Sequence, residues 1–498
     1  MARVHYERLS PESVDLLKQE TSGKRAHTAM ILIFDPGQLK ASSGGVDFDR
    51  IREVVGTRLV ELPRLRSKLR RIPVDGDSVW VDDRDFNLSH HLRHSCLPKP
   101  GNREQLCRTA ARISATPLDR SRPLWDCWII EGLEEGRFAI VLKMHKALAH
   151  LEGADLVRSL LSPTEDRVSV SPSRFRTRPS PSPFELFSNE VLRGWSPSRR
   201  ALRRGLGWMR SPARASRELQ DGAKRVLNAV GYKLRPAGES PFDGNLGPHR
   251  TFSFQGIDLQ PLQKARQAMG GTVHDFVLAI ATGALRRLLL ARHLSPVTVD
   301  LRALTPVLEV EGHTAQPWVV ELPIWEEGSL DRLECIREQT RRMRTDIRAA
   351  AGDVMTAGAE WNASKLFAIG ARSLTGIEAG QLAVLQAPGP QQDLFLDGAR
   401  LEECYGVMPL QDSSALGMTV LSYRGRLFFA FNGESDLVPD VVDLASAVEA
   451  EVEGLIAAAA SLSAKSVAEI RSADGRLVNR DRRRGAGGKL KNSDRAAG

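Results

Sequence analysis

Cysteine is scarce in this chain and scattered. Its five copies, Cys96, Cys107, Cys127, Cys335 and Cys404, fall into no CxxC or His/Cys spacing among 498 residues. That excludes a disulfide framework and a zinc finger, and leaves reduced, mostly packed thiols. No spacing implies a metal or a resident cofactor. Long apolar runs are missing too. None is long enough to cross a bilayer, and no charged-then-apolar leader opens the chain. The expectation is a cytoplasmic protein, or one bound to a membrane face from the cytosol. Acidic residues are in deficit, 61 against 70 Lys and Arg, for a formal charge of +9. Such a balance suits an anionic partner: nucleic acid, anionic lipid or a phosphate-bearing ligand.

The length favours two or three domains, and 42% hydrophobic residues are enough to build their cores. Ser10-Pro11-Glu12 reads as a cap and first helical turn, opening a helix to about Glu20. His27 to Phe34 and Ser78 to Val81 read as strands. Asp47 caps a helix through Leu62, and Asn102 to Ser114 is helical. Pro117 to Trp125 is a turn-rich entry to the strand Trp125–Ile130, which forms a hairpin with Phe138–Met144. This α/β region ends at residue 162.

Residues 163–240 differ in character. Ser, Pro and Arg dominate, and Arg199, Arg200, Arg203, Arg204, Arg210, Arg214, Arg217, Lys224 and Arg225 face few acids. Trp195, Leu202, Leu206 and Trp208 are interleaved with them. This crossing linker reads as partly helical. It is either an interfacial membrane contact or a solvated basic segment. No helix-turn-helix, zinc or RNP pattern accompanies the charge, which weighs against nucleic acid.

A second ordered region spans 241–465. Arg250 to Phe254 alternates like a strand. Thr272 caps a helix from Val273 to Arg292. Val297–Leu304 and Trp318–Ile324 read as strands, and Leu330–Ile347 as a charged helix. Leu382–Gln386 is a strand ended by Pro388-Gly389-Pro390. Leu416–Ser422 and Leu427–Phe431 form a hairpin, and a last helix runs from Pro439 to about Ala460. Residues 466–498 are polar, basic and Gly-rich, and read as a disordered tail.

The chain turns on Arg137 to Leu156. A buried strand, Phe138–Met144, stops at His145, with Lys146 beside it and His150 close behind. A titratable cluster between a buried strand and a helix is where a scaffold hands reactive groups to a cleft. A satisfied structural histidine is the other reading.

From Arg8-Leu9-Ser10-Pro11 to about Leu455 the chain resembles the bacterial wax ester synthase/diacylglycerol acyltransferases. Pro117 to Trp125, Gly283-Ala284-Leu285-Arg286-Arg287, Pro388-Gly389-Pro390 and Thr419 to Gly425 carry the resemblance. It implies two chloramphenicol-acetyltransferase-like domains around a tunnel. It also implies acyl transfer from acyl-CoA to diacylglycerol or a long-chain alcohol, at a membrane or lipid-inclusion surface. The family's His-His-x-x-x-Asp-Gly motif falls on His145–Leu151, with Lys146, His150 and Leu151 in place of the second His, the Asp and the Gly. The family's Asn-Asp pair reads His274-Asp275 here, and its Ser-Asn-Val reads Leu385-Gln386-Ala387. His274, Asp275 and Gln386 are thereby tunnel candidates, and His145, Lys146 and His150 the catalytic ones. Neutral imidazole accepts a proton at pH 7, whereas an ordinary lysine, at about 10.4, does not. Three readings follow: an acyltransferase using His145, His150 or a depressed Lys146 as base; a non-catalytic relative that binds acyl-CoA or lipid; and a basic membrane-surface scaffold.

Overall fold

A computed structural model describes residues 6–42, 44–73, 77–148, 157, 159–170, 175, 177–182, 184–188, 240–306, 317–351, 382–410 and 414–462. Most of the basic linker, the C-terminal tail, His150 and Leu151 lie outside these. Two six-stranded sheets and one small sheet carry the described chain.

In the first half, α1 (Pro11–Gln19) starts where the Ser10 hydroxyl accepts the Ser13 N–H. Strand β1 (Glu7–Arg8) joins β4 (Ser78–Asp82) and β3 (Ser67–Arg71) in the small sheet. Strand β2 (His27–Asp35) pairs antiparallel with β7 (Phe138–His145). β7 in turn pairs with β6 (Trp125–Glu131), forming the expected hairpin. β5 (Leu92–Cys96) runs parallel at the edge. Every residue of β7 is buried, which is why its sequence is a continuous apolar run rather than an alternation. Helix α2 (Phe48–Arg58) ends a turn before the expected Leu62. Val60, Glu61 and Leu62 close tight i→i−3 bonds, and Pro63 disfavours α geometry in the residue before it. Helix α3 (Arg103–Ala115) carries a full capping box between Asn102 and Gln105. After β7 comes a single turn, α4 (Lys146–Leu148).

The second half begins with β8 (Arg250–Asp258) and α5 (Leu259–Met269). Helix α6 (Val273–Ala291) opens on a Thr272/Asp275 capping box. β9 (Arg302–Pro306) is shorter and later than the expected Val297–Leu304, because Ser295 to Val299 turns on itself, with Thr298 N–H on Ser295 O. β10 (Pro317–Glu321) stops before the expected Ile324, where Pro323 cannot extend a ladder. Helix α7 (Ser329–Ala351) follows. β11 (Leu382–Ala387) then pairs parallel with β14 (Leu416–Tyr423). β14 and β15 (Arg426–Glu434) form a hairpin whose Arg424 and Gly425 both have positive φ, 49° and 69°. The last helix, α8, spans 441–462.

The sheets interlock. β12 (Phe395–Leu396) and β13 (Ala399–Val407) come from the second half, yet β13 pairs with β2 of the first sheet. The first sheet therefore runs β12-β13-β2-β7-β6-β5, and the second β10-β9-β11-β14-β15-β8. One apolar cluster joins Ile31 and Val141 of the first sheet to Phe254, Tyr405 and Phe428.

Candidate active site

The end of β7 places the candidates, and the β2–β7 register sets their company. His27 stands opposite His145, and the two rings meet edge-on with centroids 6.0 Å apart. The His145 ring is buried, and its Nδ1 accepts the Ala147 N–H at 3.0 Å. With that lone pair engaged, any ring proton sits on Nε2, which lies 3.3 Å from Glu20 Oε1. Burial alone would raise the Glu20 carboxyl, but His145, Arg120 and the Ala26 N–H together hold it well below the usual carboxylate range. Glu20 Oε1 is also 3.8 Å from His27 Nε2. Burial pulls the His27 imidazole down to about 3, helped by the neighbouring His145 and Lys143, so this ring is neutral.

Lys146 is tied to β2 through its backbone, whose N–H donates to Ala26 O at 2.7 Å. Its side chain is 1% exposed, and no group among the described residues pairs with Nζ. Burial is the sole cause that brings this amine down to about 8. Lys143, three residues earlier in β7, is built differently. Its Nζ donates to Ile113 O at 2.8 Å and Thr116 O at 3.0 Å, closing the C-terminal turn of α3, with Asp126 at 3.7 Å. Burial, only partly opposed by Asp126, brings it to about 8 as well.

The tunnel candidates form a separate cluster. His274 is half-buried, its Nδ1 2.7 Å from Gln386 Oε1 and its Nε2 3.4 Å from Thr305 Oγ1. Burial lowers its pKa, against the pull of Gln386. Asp275 is fully buried and fully engaged. It accepts the Thr272 N–H and the Thr340 hydroxyl, both at 2.7 Å, and lies 3.3 Å from Arg344. No hydrogen bond or ion pair among the described residues joins this cluster to His145 or Lys146.

Residues 9–277 match the model of the wax ester synthase/diacylglycerol acyltransferase catalytic domain, and residues 316–455 match the family's C-terminal domain. The chain belongs to this family. A Mycobacterium tuberculosis relative named as a diacylglycerol O-acyltransferase is 27% identical over 460 residues, 87% of each chain. The O-acyltransferase WSD of Acinetobacter baylyi is 25% identical over 431 residues, 82% of this chain and 89% of that one. The solved wax ester synthase/diacylglycerol acyltransferase of Marinobacter aquaeolei superposes with a TM-score of 0.64. It shares 22% identity, and the match covers 91% of this chain and all of that one. The first condensation domain of the calcium-dependent antibiotic synthetase shares the fold at a TM-score of 0.50 and 14% identity, over 92% and 96% of the two chains. The expected two-domain chloramphenicol-acetyltransferase-type fold is thus the fold of this family member. His145, Lys146, His274 and Asp275 lie in the catalytic match and Gln386 in the C-terminal one.

Sequence reading missed Glu20 and His27, which orient and accompany His145. His27 opens an apolar strand and was legible only as a strand residue. Glu20 lies beyond the last residue of α1, and only the tertiary fold brings it to the motif.

Proposed function

We propose that this chain transfers a fatty acyl group from acyl-CoA to diacylglycerol or a long-chain alcohol, with Lys146 as the proton acceptor. The observation that carries this reading is the buried Lys146 amine at the motif's second position, unpartnered among the described residues and brought to about 8 by desolvation. About a tenth of it is neutral at pH 7, where an ordinary lysine would be protonated almost entirely. Neutral Nζ takes the hydroxyl proton as oxygen adds to the thioester carbonyl, the C–S bond breaks, and the proton passes to the departing CoA sulfur. A positioned base is worth ~10²–10⁴-fold.

The test uses palmitoyl-CoA with hexadecanol or a diacylglycerol. Lys146→Met should abolish ester formation, and Lys146→His should lower it at pH 8. The wild-type rate should rise through about pH 8, following the Lys146 amine. A gain in Lys146→His would mean that the base is lost in this chain. Tight acyl-CoA binding without product from any variant would favour a non-catalytic binder. The linker arginines, with Trp195 and Trp208 among them, are proposed to rest on an anionic membrane or lipid-inclusion surface. Liposome flotation unchanged after Arg199, Arg200, Arg203 and Arg204 are neutralised would remove that contact.

A further inference from the structure

A small cavity lies where the two sheets meet, walled by Arg25, His27, Ser114, Arg250, Met408 and Asn432 among others. Its volume of about 30 Å³ leaves room for a small polar group. Three buried polar atoms on its wall residues have no hydrogen-bond partner among the described residues: Arg25 Nε, His27 Nδ1 and Ser114 Oγ. Buried polar atoms are paired in the great majority of cases, so three on the walls of one cavity mark it as a place suited to a polar group. No carboxylate is among the described lining residues. Arg25 Nε–H can only donate and the Ser114 hydroxyl can donate, so the occupant they suit is an oxygen with lone pairs. Arg250 is spent elsewhere, donating to the Gly23, Gly247 and His249 carbonyls. That anchors the loop before Arg25.

The cavity adjoins the motif. Ala26, between Arg25 and His27, accepts the Lys146 N–H, and the His27 ring meets His145. Ser114 comes from the last turn of α3, the turn whose carbonyls Lys143 caps. The start of β2 and the end of α3 therefore line this space, and the start of β2 is paired with the end of β7, His27 opposite His145.

We propose that this cavity seats the carbonyl oxygen of the acyl thioester, with Arg25 Nε–H and the Ser114 hydroxyl donating to it. The assignment rests on the acyl-transfer reading and adds catalytic residues to it. When the alcohol oxygen bonds to the carbonyl carbon, the carbonyl π pair moves onto the seated oxygen and the hydroxyl proton goes to Lys146. On collapse that pair re-forms the C=O bond, the C–S bond breaks, and the sulfur takes up the proton. Fixed donors aimed at the developing oxyanion stabilise the addition step without having to reorient during it.

The test uses the full chain and a ketone analogue of palmitoyl-CoA, with CH₂ in place of sulfur and ¹³C at the carbonyl. Bound to the wild type, the carbonyl stretch should move to lower frequency than in buffer. Ser114→Ala and Arg25→Met should each reverse part of that shift while still binding the analogue. In ester formation each should lower kcat by ~10²–10³-fold, the usual loss for one oxyanion donor, with KM little changed. A merely structural role would not move the stretch of a bound carbonyl. An unshifted carbonyl in the wild type, a shift kept in both variants, or failure of the wild type to bind the analogue would overturn the seat and leave the cavity to water. Ester formation without the shift would sink the seat alone. The shift without ester formation would sink the transfer reading alone.

Discussion

Burial depresses Lys146 and Lys143 alike, but only Lys143 has hydrogen-bond acceptors among the described residues, and substitution should separate them. An amine brought from 10.5 to about 8 by burial carries a cost of about 3 kcal/mol whenever it is protonated in the fold, at ~1.4 kcal/mol per unit. Below pH 8 both folded and unfolded chains hold this proton, and the full cost is present. Between about 8 and 10.5 the unfolded chain still holds it and the folded one has released it, so stability rises with pH. Lys146→Met should therefore stabilise the protein at pH 7 by up to ~3 kcal/mol, since no described contact is lost. That advantage should shrink steadily towards pH 10.5, as urea titrations across the range would record. Lys143→Met should instead destabilise at pH 7, because it strips two buried carbonyls, Ile113 O and Thr116 O, of their donor. A pH-independent Lys146→Met effect, or a loss of stability, would contradict the buried-cation account.

At the scale of elements, β12 and β13 are joined by a two-residue turn whose Asp397 and Gly398 both have positive φ, 48° and 88°. The Asp397 side chain is buried and takes a two-pronged hold from Arg50 of α2, Nε at 2.7 Å and Nη2 at 2.9 Å, plus the Val168 N–H at 2.6 Å. Arg50→Ala leaves that carboxylate buried with one donor, and should cost about 3 kcal/mol, the lower end for a broken buried pair. Adding Asp397→Asn should restore part of it. A double-mutant cycle with no coupling would refute the clamp. This turn also marks where sequence reading ran out. The β6–β7 hairpin, the Thr272 cap of α6 and the Arg424-Gly425 turn were legible because each is written in adjacent residues. β13 was not, because its Glu402 and Glu403 break any apolar pattern. Glu403 is buried against Arg137, a contact no local window holds, and accepts the Tyr405 hydroxyl two residues on. The site divides the same way. His145 and Lys146 announce themselves at a strand end, whereas His27, Glu20, Arg25 and Ser114 join them only through the pairing of β2 with β7 and the packing of α3. His150 lies outside the described residues.

For the whole molecule, β13 makes the two halves one folding unit. Its backbone pairs with β2 of the first sheet. Its Tyr405 ring, fully buried, packs at 4.1 Å between centroids on Phe254 of β8 and at 5.3 Å on Phe428 of β15 in the second. An apolar contact that spans both sheets cannot be lost by one half without exposing surface on the other, so separate unfolding would forfeit burial twice. Removing a buried aromatic side chain costs about 3–5 kcal/mol. Tyr405→Ala should therefore lower the melting temperature in one step, with calorimetry still giving a single transition. Amide exchange should quicken together in β7 of the first sheet and β14 of the second, although neither strand carries the substitution. If β7 amides kept their wild-type protection while those of β14 lost theirs, the halves would be independent, and a site assembled from β2, α3 and β7 would not feel damage at the β13 crossing.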